Sequence, residues 1–258
     1  MGFNEHLFPE ERRQEILKRV NFAGRVEVAD LSQLFGVSEV TIRSDLQLLS
    51  DQSLVQRTHG GAVPISRIPD LSLSLRRQQQ VNEKNRIGAA GAELVEDGDA
   101  IFLDTSSTAL ALANHLRERR DITVLTNSLA IAQILLEVAG TTVVMPGGTL
   151  QRETVSLVGT DGLEFLHKFN IRKGFFGAHG IRQPEGLTDV SATEAEVKRN
   201  LITQCHEVIA ILDSTKWGRI GLASFARLED IHSIITNTSA SPEQVEQARA
   251  LGIRVILV

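Results

Sequence analysis

Apolar residues recur at helical spacing three times within the first fifty positions of the chain. The three sets are Ile16, Leu17 and Val20; Val28, Leu31 and Leu34; and Ile42, Leu46 and Leu49. Each set falls on one face of a helix with about 3.6 residues per turn, so we predict three short helices that pack together. The first runs from Pro9 to about Asn21, with Gly24 beyond it. Gly36 ends the second, and Ser38 is placed to cap the third by accepting a hydrogen bond from a backbone N–H.

A strand pair is predicted directly after these helices, over residues 54–63. Its polar tip contains Gly60 and Gly61, which we expect to allow a left-handed turn. Two short helices around a tight turn, followed by a hairpin, form the layout of a winged helix-turn-helix. The second helix of such a pair is the one that reads DNA.

The face of the reading helix opposite its apolar set carries side chains suited to DNA. An Arg can bond guanine, a Gln can bond adenine, an apolar surface can meet a thymine methyl group, and hydroxyls can bond phosphates. Two polar residues of the hairpin would lie beside a phosphate. The candidate DNA-binding residues are Ser38, Val40, Thr41, Arg43, Ser44, Gln47, Arg57 and His59.

Charge leaves an alternative open for this part of the chain. The 258 residues carry a net charge of −5, and residues 1–62 hold seven Lys and Arg against nine Asp and Glu. Any DNA contact must therefore come from a local patch rather than from the field of the domain. A protein-binding unit whose third helix has an ordinary solvated face is the alternative interpretation.

From Asn82 onward, helical stretches alternate with short β-branched runs, which predicts a parallel sheet with crossover helices. The predicted strands are residues 100–104, 122–126, 141–145, 173–178, 208–213, 233–237 and 254–258. The fold class is therefore α/β: a small winged helix-turn-helix domain over residues 1–63, a linker over 64–81 and a larger domain with a mostly parallel sheet over 82–258. The linker contains the basic pair Arg76 and Arg77, which either touches DNA or is solvated.

Polar and glycine-rich loops follow four of these strands. Ligands on such sheets bind beyond the carboxyl ends of the strands, and hydroxyls at the start of a helix form an anion site. Serine and threonine open the helix after the first strand, a lysine adds a point charge, and carboxylate or amide groups can hold sugar hydroxyls. These residues are Asp104, Ser106, Ser107, Thr108, Asn127, Gly147, Gly148, Asp213 and Lys216. Taken singly, each is also explained as a helix cap, a turn residue or a surface ammonium group.

Composition narrows the classes of protein that the chain can belong to. A single cysteine, Cys205, allows no intramolecular disulfide framework and suits a reducing cytoplasm. We expect no metal site, no cofactor and no catalytic residue set. There is no apolar run of about 20 residues and no secretory leader, so neither a membrane partner nor export is expected.

The motifs of the N-terminal part resemble the DeoR family of bacterial transcription regulators. They are Val37-Ser38, Thr41-Ile42-Arg43, Asp45-Leu46 and Arg57-Thr58-His59-Gly60-Gly61-Ala62, in the family's order and spacing. The likeness continues at Asp104 to Thr108, Thr126 to Ser128, Gly147-Gly148, Val158-Gly159, Gly180-Ile181 and Asp213 to Lys216. Two departures stand out. Ser44 replaces the family's usual second Arg, and Ser106-Ser107 replace the glycine and first threonine of its first loop.

This resemblance implies a C-terminal fold related to ribose 5-phosphate isomerase and a phosphorylated sugar or sugar alcohol as effector. It also brings Glu194 and Lys198 near the effector, with Asp189 and His179 as weaker candidates. The residues themselves offer a local explanation as well. Ser191 and Glu194 have the spacing of a capping box, and Glu194 and Lys198 that of an i to i+4 ion pair.

Three hypotheses follow. A sugar-phosphate-responsive transcriptional repressor, acting on operator DNA as a homodimer or homotetramer, accounts for both parts of the chain. A sugar-phosphate isomerase or deaminase accounts for the second part alone and requires a positioned acid and base. An adaptor that binds no DNA is the third.

Overall fold

The computed structural model describes residues 8–23, 25–52, 54–64, 72–160 and 162–258 of the chain. The chain divides into two units, Met1–Pro69 and Asp70–Val258. Gly24, predicted to follow the first helix, and residues 65–71 of the predicted linker lie outside the described residues.

The first unit is a winged helix. Its elements are α1 (Pro9–Ala23), β1 (Val26–Glu27), α2 (Val28–Phe35), α3 (Glu39–Asp51), β2 (Val55–Arg57) and β3 (Gly61–Pro64). The strands form an antiparallel sheet in the order β1-β3-β2. The three helices and the hairpin predicted from the sequence are all present, and β1 is an additional strand.

Local sequence explains where the helices of this unit begin and end. Gly36 closes α2 in the left-handed region with φ of 62°, a conformation that glycine adopts without steric cost. The hydroxyl of Ser38 accepts the backbone N–H of Thr41 at 3.1 Å, as predicted for a cap of α3. The predicted apolar sets form the core, except that Leu34 is 45% exposed and Phe35 packs against the core instead.

The prediction of a left-handed turn at the tip of the wing is wrong. Left-handed φ angles occur at other glycines among the described residues but at neither Gly60 nor Gly61. A Cβ atom added to Gly61 would lie 1.8 Å from the carbonyl oxygen of Val26 on β1. Glycine at position 61 is therefore needed for the close approach of two strands, and its role is one of space rather than of backbone conformation.

The second unit contains helices and strands in alternation. Its elements are α4 (Leu73–Gln78), α5 (Val81–Glu93), β4 (Ala100–Leu103), α6 (Ser107–Asn114), β5 (Ile122–Thr126), α7 (Leu129–Leu135), β6 (Thr141–Val144), β7 (Thr149–Gln151), β8 (Ser156–Val158), β9 (Ile171–Phe176), β10 (Gly180–Arg182), β11 (Gly186–Asp189), α8 (Ala192–Ile202), β12 (Cys205–Ile211), β13 (Ala223–Ala226), β14 (Ser233–Thr236), α9 (Pro242–Ala250) and β15 (Arg254–Leu257).

Seven strands form one sheet in the order β15-β14-β12-β9-β4-β5-β6, and every neighbouring pair is parallel. All seven strands predicted from the sequence are in this sheet. The largest difference is at β12, predicted from Val208, which begins at Cys205. Ile101 and Leu103 pack into the core on one face, and Phe102 and Phe176 into the core on the other.

The order of the strands reverses between β4 and β9. From β4 the chain continues to β5 and β6 on one side, and it then returns to β9, β12, β14 and β15 on the other. A crevice forms at such a switch point, beyond the carboxyl ends of the two central strands. The loops after β4 and β9 therefore form the walls of the first place to look for a ligand.

Smaller elements surround this crevice. β10, β11 and β13 form an antiparallel sheet, and β7 and β8 form a hairpin. Helix α4 lies within residues 64–81, which the sequence predicted as a linker, but Leu73 on α4 is buried in the second unit. Among the residues described, no helix is long and apolar enough to cross a membrane.

Candidate functional site: a cation-lined cavity and a reading helix

A cavity lies at the switch point of the parallel sheet. Its walls come from α4, α5, the start of α6, the loop after β9, and α8 with the residues that precede it. The lining residues are Arg76, Lys84, Ser106, Ser107, Thr108, Gly177, Ala178, His179, Asp189, Val190, Lys198, Ile211, Leu212 and Lys216. Seven of the residues predicted from the sequence to lie near a ligand are among them: Ser106, Ser107, Thr108, Lys198, Lys216 and the weaker candidates His179 and Asp189.

Asp104 joins the ends of the two central strands. One carboxylate oxygen accepts the backbone N–H of Ser106 at 3.0 Å. The other accepts the backbone N–H of Gly177 at 2.9 Å and lies 2.9 Å from Nζ of Lys198. Asp104 is 1% exposed, so it holds the floor of the crevice in place.

Lys198 is the buried cation at the centre of this floor. Its Nζ donates to Asp189 Oδ2 and to the carbonyl oxygen of Gly177, both at 2.8 Å, in addition to its contact with Asp104. Burial alone would lower the pKa of Lys198, but the charges of Asp104, Asp189 and Glu194 outweigh it and raise the pKa. Burial would raise the pKa of Asp189, but the charge and hydrogen bond of Lys198, the backbone N–H of Ser191 and the charge of Arg76 together lower it. Asp104, Asp189 and Lys198 therefore form what we call the locked cluster, in which Lys198 pairs with both carboxylates.

The predicted i to i+4 ion pair between Glu194 and Lys198 is absent. Glu194 instead accepts the hydroxyls of Thr105 at 2.5 Å and Ser156 at 2.6 Å. The N-cap at Ser191 is present, since its hydroxyl accepts the backbone N–H of Glu194 at 3.2 Å. Glu194 thus ties the loop after β4 to β8 from behind the cavity wall, while Lys198 turns toward the two aspartates.

The start of α6 supplies polar groups to the cavity. Ser106 caps this helix by accepting the backbone N–H of Ala109 at 3.0 Å. Ser107 and Thr108 are buried in its first turn. The first backbone N–H groups of a helix have no partner within the helix, and the helix dipole makes this end favourable for an anion.

Lys84 on α5 adds a buried ammonium group that sequence analysis missed. Its Nζ donates to the carbonyl oxygens of Arg76 at 2.6 Å and Gln79 at 2.7 Å. Burial is the largest cause that lowers the pKa of Lys84 to about 8; the positive charges of Lys216 and Arg76 contribute to this lowering, and Asp213 and Glu83 oppose it. Together with Arg76, Lys198 and Lys216, Lys84 makes four cationic side chains that line one small cavity.

Four of the remaining sequence candidates do not line this cavity. Asp213 caps the turn that carries Lys216 by accepting the backbone N–H of Thr215 at 3.0 Å. The Asn127 amide donates to the carbonyl oxygen of Leu157 at 3.0 Å. Gly147 and Gly148 follow β6, the edge strand of the sheet, two positions from β4. Gly148 instead packs close to β8, where an added Cβ would meet the Val158 carbonyl oxygen at 2.6 Å.

The solvent face of α3 carries the other candidate site. Val40 is 72% exposed, and Arg43, Ser44 and Gln47 are exposed on the same helix. Ser38 and Thr41 form its N-terminal turn, and His59 is exposed on the wing.

The exposed Arg and Gln side chains of this face are engaged with neighbours. Arg43 forms an ion pair with Glu39 at 2.6 Å. Arg57 of β2 donates to the side-chain oxygen of Gln47 at 2.6 Å, and Gln47 donates to Asp51 at 2.7 Å. The wing and the reading helix are therefore linked by side chains before any DNA binds.

Comparison with known proteins decides which family the chain is part of. Residues 12–67 match the DeoR-like helix-turn-helix domain, and residues 79–238 match the DeoR C terminal sensor domain. The chain belongs to the DeoR family.

Individual DeoR-type regulators match along almost the whole chain. The HTH-type transcriptional repressor GlcR of Bacillus subtilis (strain 168) is 35% identical over 232 residues, covering 90% of this chain and 89% of GlcR. The HTH-type transcriptional regulator GolR of Listeria innocua is 32% identical, covering 96% of this chain and 98% of GolR. The glycerol-3-phosphate regulon repressor of Escherichia coli (strain K12) is 29% identical, covering 88% and 90%.

One solved structure with a similar arrangement is ribose 5-phosphate isomerase A from Methanocaldococcus jannaschii. The TM-score is 0.41 and the sequence identity 16%, and the match spans 54% of this chain and 55% of the isomerase.

Membership of the DeoR family makes this chain a DNA-binding transcriptional regulator. Its winged helix is the DeoR-like helix-turn-helix, and its parallel-sheet unit contains the DeoR sensor domain with the cavity. Asp45, part of the Asp45-Leu46 motif, is 3% exposed and pairs with Nε of Arg12 at 2.6 Å. In this DeoR member the aspartate therefore fixes α3 against α1 and does not face DNA.

Proposed function

We propose that this regulator represses a sugar or sugar-alcohol catabolic operon and that a phosphorylated sugar, bound in the sensor cavity, changes its affinity for operator DNA. The supporting observation is the charge of the cavity. Lys84 and Lys216 line it together with the start of α6, and Lys84 is a buried ammonium group that is bonded to carbonyl oxygens alone. A dianionic phosphate would offset the cost of keeping that charge buried.

The other end of the ligand would meet the locked cluster of Asp104, Asp189 and Lys198. Asp189 and Lys198 line the cavity, and carboxylate oxygens accept hydrogen bonds from sugar hydroxyls. Because Lys198 pairs with both carboxylates, these groups are held in fixed positions from which they can orient a neutral polyol. Relatives point the same way, since one of them is named for a glycerol-3-phosphate regulon.

A binding assay with two arms tests the effector part. Purified full-length protein is titrated with a panel of sugar and polyol phosphates and with the parent sugars and polyols, and unfolding is followed by Trp217 fluorescence. A phosphate ester present at about 100 times its dissociation constant should add roughly 2.7 kcal/mol to the unfolding free energy. Equal binding of the parent sugar contradicts the proposal. Consumption of the ester during the titration would instead favour a sugar-phosphate enzyme.

The DNA part is tested with duplexes that the protein selects from a random library. Arg43→Ala should weaken binding to the selected duplex by about 1 to 3 kcal/mol if Arg43 contacts a guanine. Arg57→Ala is the matched comparison, because a phosphate contact is expected to weaken selected and unrelated duplexes alike. Unchanged affinity of the Arg43 variant at fixed salt contradicts the assignment of the reading helix.

The last part of the proposal concerns the number of subunits. A single winged helix has a small footprint, so a homodimer or homotetramer that reads repeated half-sites is expected. Light scattering of the purified protein, alone and with the selected duplex, measures the subunit number. A monomer in both samples contradicts this part.

A further inference from the structure

Arg76 is half-buried and stands out among the residues that line the cavity because two nitrogen atoms of its guanidinium group are buried without a partner. Its Nε and Nη2 atoms have no hydrogen-bond partner. Among the described residues, Arg76 forms no ion pair with a carboxylate. Its neighbour Arg77 on the same helix is exposed. Two buried donors without acceptors are costly in a folded protein, and each one calls for an explanation.

The unpaired edge of the guanidinium has the geometry of an anion receptor. Nε and Nη2 lie side by side and donate in parallel, which matches two oxygens of a phosphate group. The surroundings add to this preference, since Arg76 lines the same cavity as Lys84 and Lys216. Four cationic side chains and one carboxylate, that of Asp189, line this cavity, and the donor pair of Arg76 has no acceptor, so the cavity favours an anion.

Arg76 lies on α4, the first helix of the chain after the DNA-binding unit. Residues 65–71 alone separate β3, the last strand of the DNA-binding unit, from Ser72, the N-cap of α4. Helix α4 has six residues, too few to be stable without tertiary contacts. Its docking to the sensor unit therefore depends on a small number of interactions.

Those interactions are placed at the two ends of α4. At its start, the backbone N–H of Leu73 donates to the carbonyl oxygen of Glu153, between β7 and β8, at 2.9 Å. At its end, Nζ of Lys84 donates to the carbonyl oxygens of Arg76 and Gln79. Lys84 thus holds the backbone of the residue whose side chain lacks a partner, and both lie against the cavity.

We propose that Arg76 binds the phosphate group of the effector through Nε and Nη2, so that effector binding fixes α4 against the sensor unit. This inference rests on the proposed function, because it needs an anion in the cavity. The ligand then contacts α4 directly, and α4 is the first helix that follows the DNA-binding unit along the chain. Arg76 is then both a ligand-binding residue and the link between ligand and DNA affinity.

Hydrogen exchange of the full-length protein with inorganic phosphate tests this proposal, with chloride at equal ionic strength as the reference. Phosphate should slow the exchange of the amides of Leu73–Gln78. Arg76→Gln should weaken phosphate binding about tenfold or more, as expected for the loss of a charge-assisted bidentate contact. Arg76→Lys, which keeps the charge but loses the two parallel N–H donors, should also bind phosphate more weakly. Arg77→Gln on the same helix is the matched control and should bind as the natural protein does.

The outcomes separate the inference from the proposed function. If phosphate stabilises the natural protein but Arg76→Gln binds it equally well, or the α4 amides exchange at an unchanged rate, the role of Arg76 is refuted and the anion site stands. If phosphate does not bind the natural protein at all, the anion site and the role of Arg76 are both refuted. Weakened binding by the Arg77 variant to the same extent would show a general charge effect and would also refute the assignment to Arg76.

Discussion

Replacement of Lys84 by methionine should make the sensor unit more stable at neutral pH. Lys84 is 6% exposed, and its ammonium group contacts two carbonyl oxygens without a neighbouring carboxylate in ion-pair contact. The folded protein therefore carries a charge that water would solvate better. Methionine has a similar length and no charge, so it can fill the same space.

The size of the effect follows from the pKa of Lys84, which burial lowers from 10.5 to about 8. At about 1.4 kcal/mol per pKa unit, the buried charge costs roughly 3 kcal/mol. The variant also leaves two carbonyl groups without their donor, at about 1 kcal/mol each. Lys84→Met should thus raise the free energy of unfolding by roughly 1 to 2 kcal/mol at pH 7, and it should abolish phosphate binding in the cavity.

The pH dependence provides a separate test of the same charge. Well below pH 8, Lys84 is protonated in both the folded and the unfolded protein, so the cost of its buried charge is present in full. Between about pH 8 and 10.5 the folded protein releases this proton while the unfolded chain keeps it, and stability rises with pH. The advantage of the Lys84→Met variant should therefore fall by roughly 2 kcal/mol between pH 7 and pH 9.5.

Urea unfolding at both pH values measures these differences. Trp217 is the single tryptophan of the chain and lies in the sensor unit, so its fluorescence follows the unit that contains Lys84. Lys168→Met, at an exposed lysine, is the control. Its free energy of unfolding should differ from that of the natural protein by the same small amount at pH 7 and pH 9.5. A Lys84 variant that is less stable than the natural protein at pH 7, or whose difference does not change with pH, would refute the reasoning.

Two further predictions concern the winged helix. Gly61→Ala should destabilise this unit by roughly 2 kcal/mol or more, because the new Cβ would lie 1.8 Å from the Val26 carbonyl oxygen; Gly60→Ala, with no atom within 4 Å, should be nearly neutral when thermal unfolding of both variants is followed by circular dichroism. Asp45→Ala should cost about 3 to 5 kcal/mol, since it leaves the guanidinium of Arg12 buried without its partner. Equal effects of the two glycine variants, or a stable Asp45 variant, would contradict the respective contacts.

Regular patterns made most of the architecture predictable from the sequence. Short β-branched runs identified all seven strands of the parallel sheet, and six of the predicted strands contain a continuous apolar stretch, as strands buried on both faces do. Helical spacing identified Ile16, Ile42 and Leu46 as core residues, and each is fully buried. The short strand β1 was missed because two residues are too few to show a pattern.

Sheet topology predicted the site only where its residues follow strands, and the family resemblance alone pointed to Lys198 on α8. Ser106, Ser107, Thr108 and Lys216 come directly after strands of the sheet, and they line the cavity. Arg76 and Lys84 come from helices that precede the first strand of the sheet, where no rule of sheet topology assigns them to its carboxyl edge. A basic pair and a lysine near the start of an amphipathic helix have the composition of a solvated surface. Only the packing of α4 and α5 against the cavity gives them another role.

The serine pair at the first loop shows how a departure from the family pattern is accommodated. A side chain at position 106, where the family usually has glycine, needs space in a crevice whose floor is already filled. The structure provides that space from the neighbouring strand: a Cβ atom added to Gly177 would lie 2.3 Å from Cβ and 2.4 Å from Oγ of Ser106. The glycine after β9 thus makes room for the serine after β4. Because Ser106 then caps α6, the substitution adds a hydrogen bond at the start of the helix and leaves the hydroxyls of Ser107 and Thr108 beside the cavity.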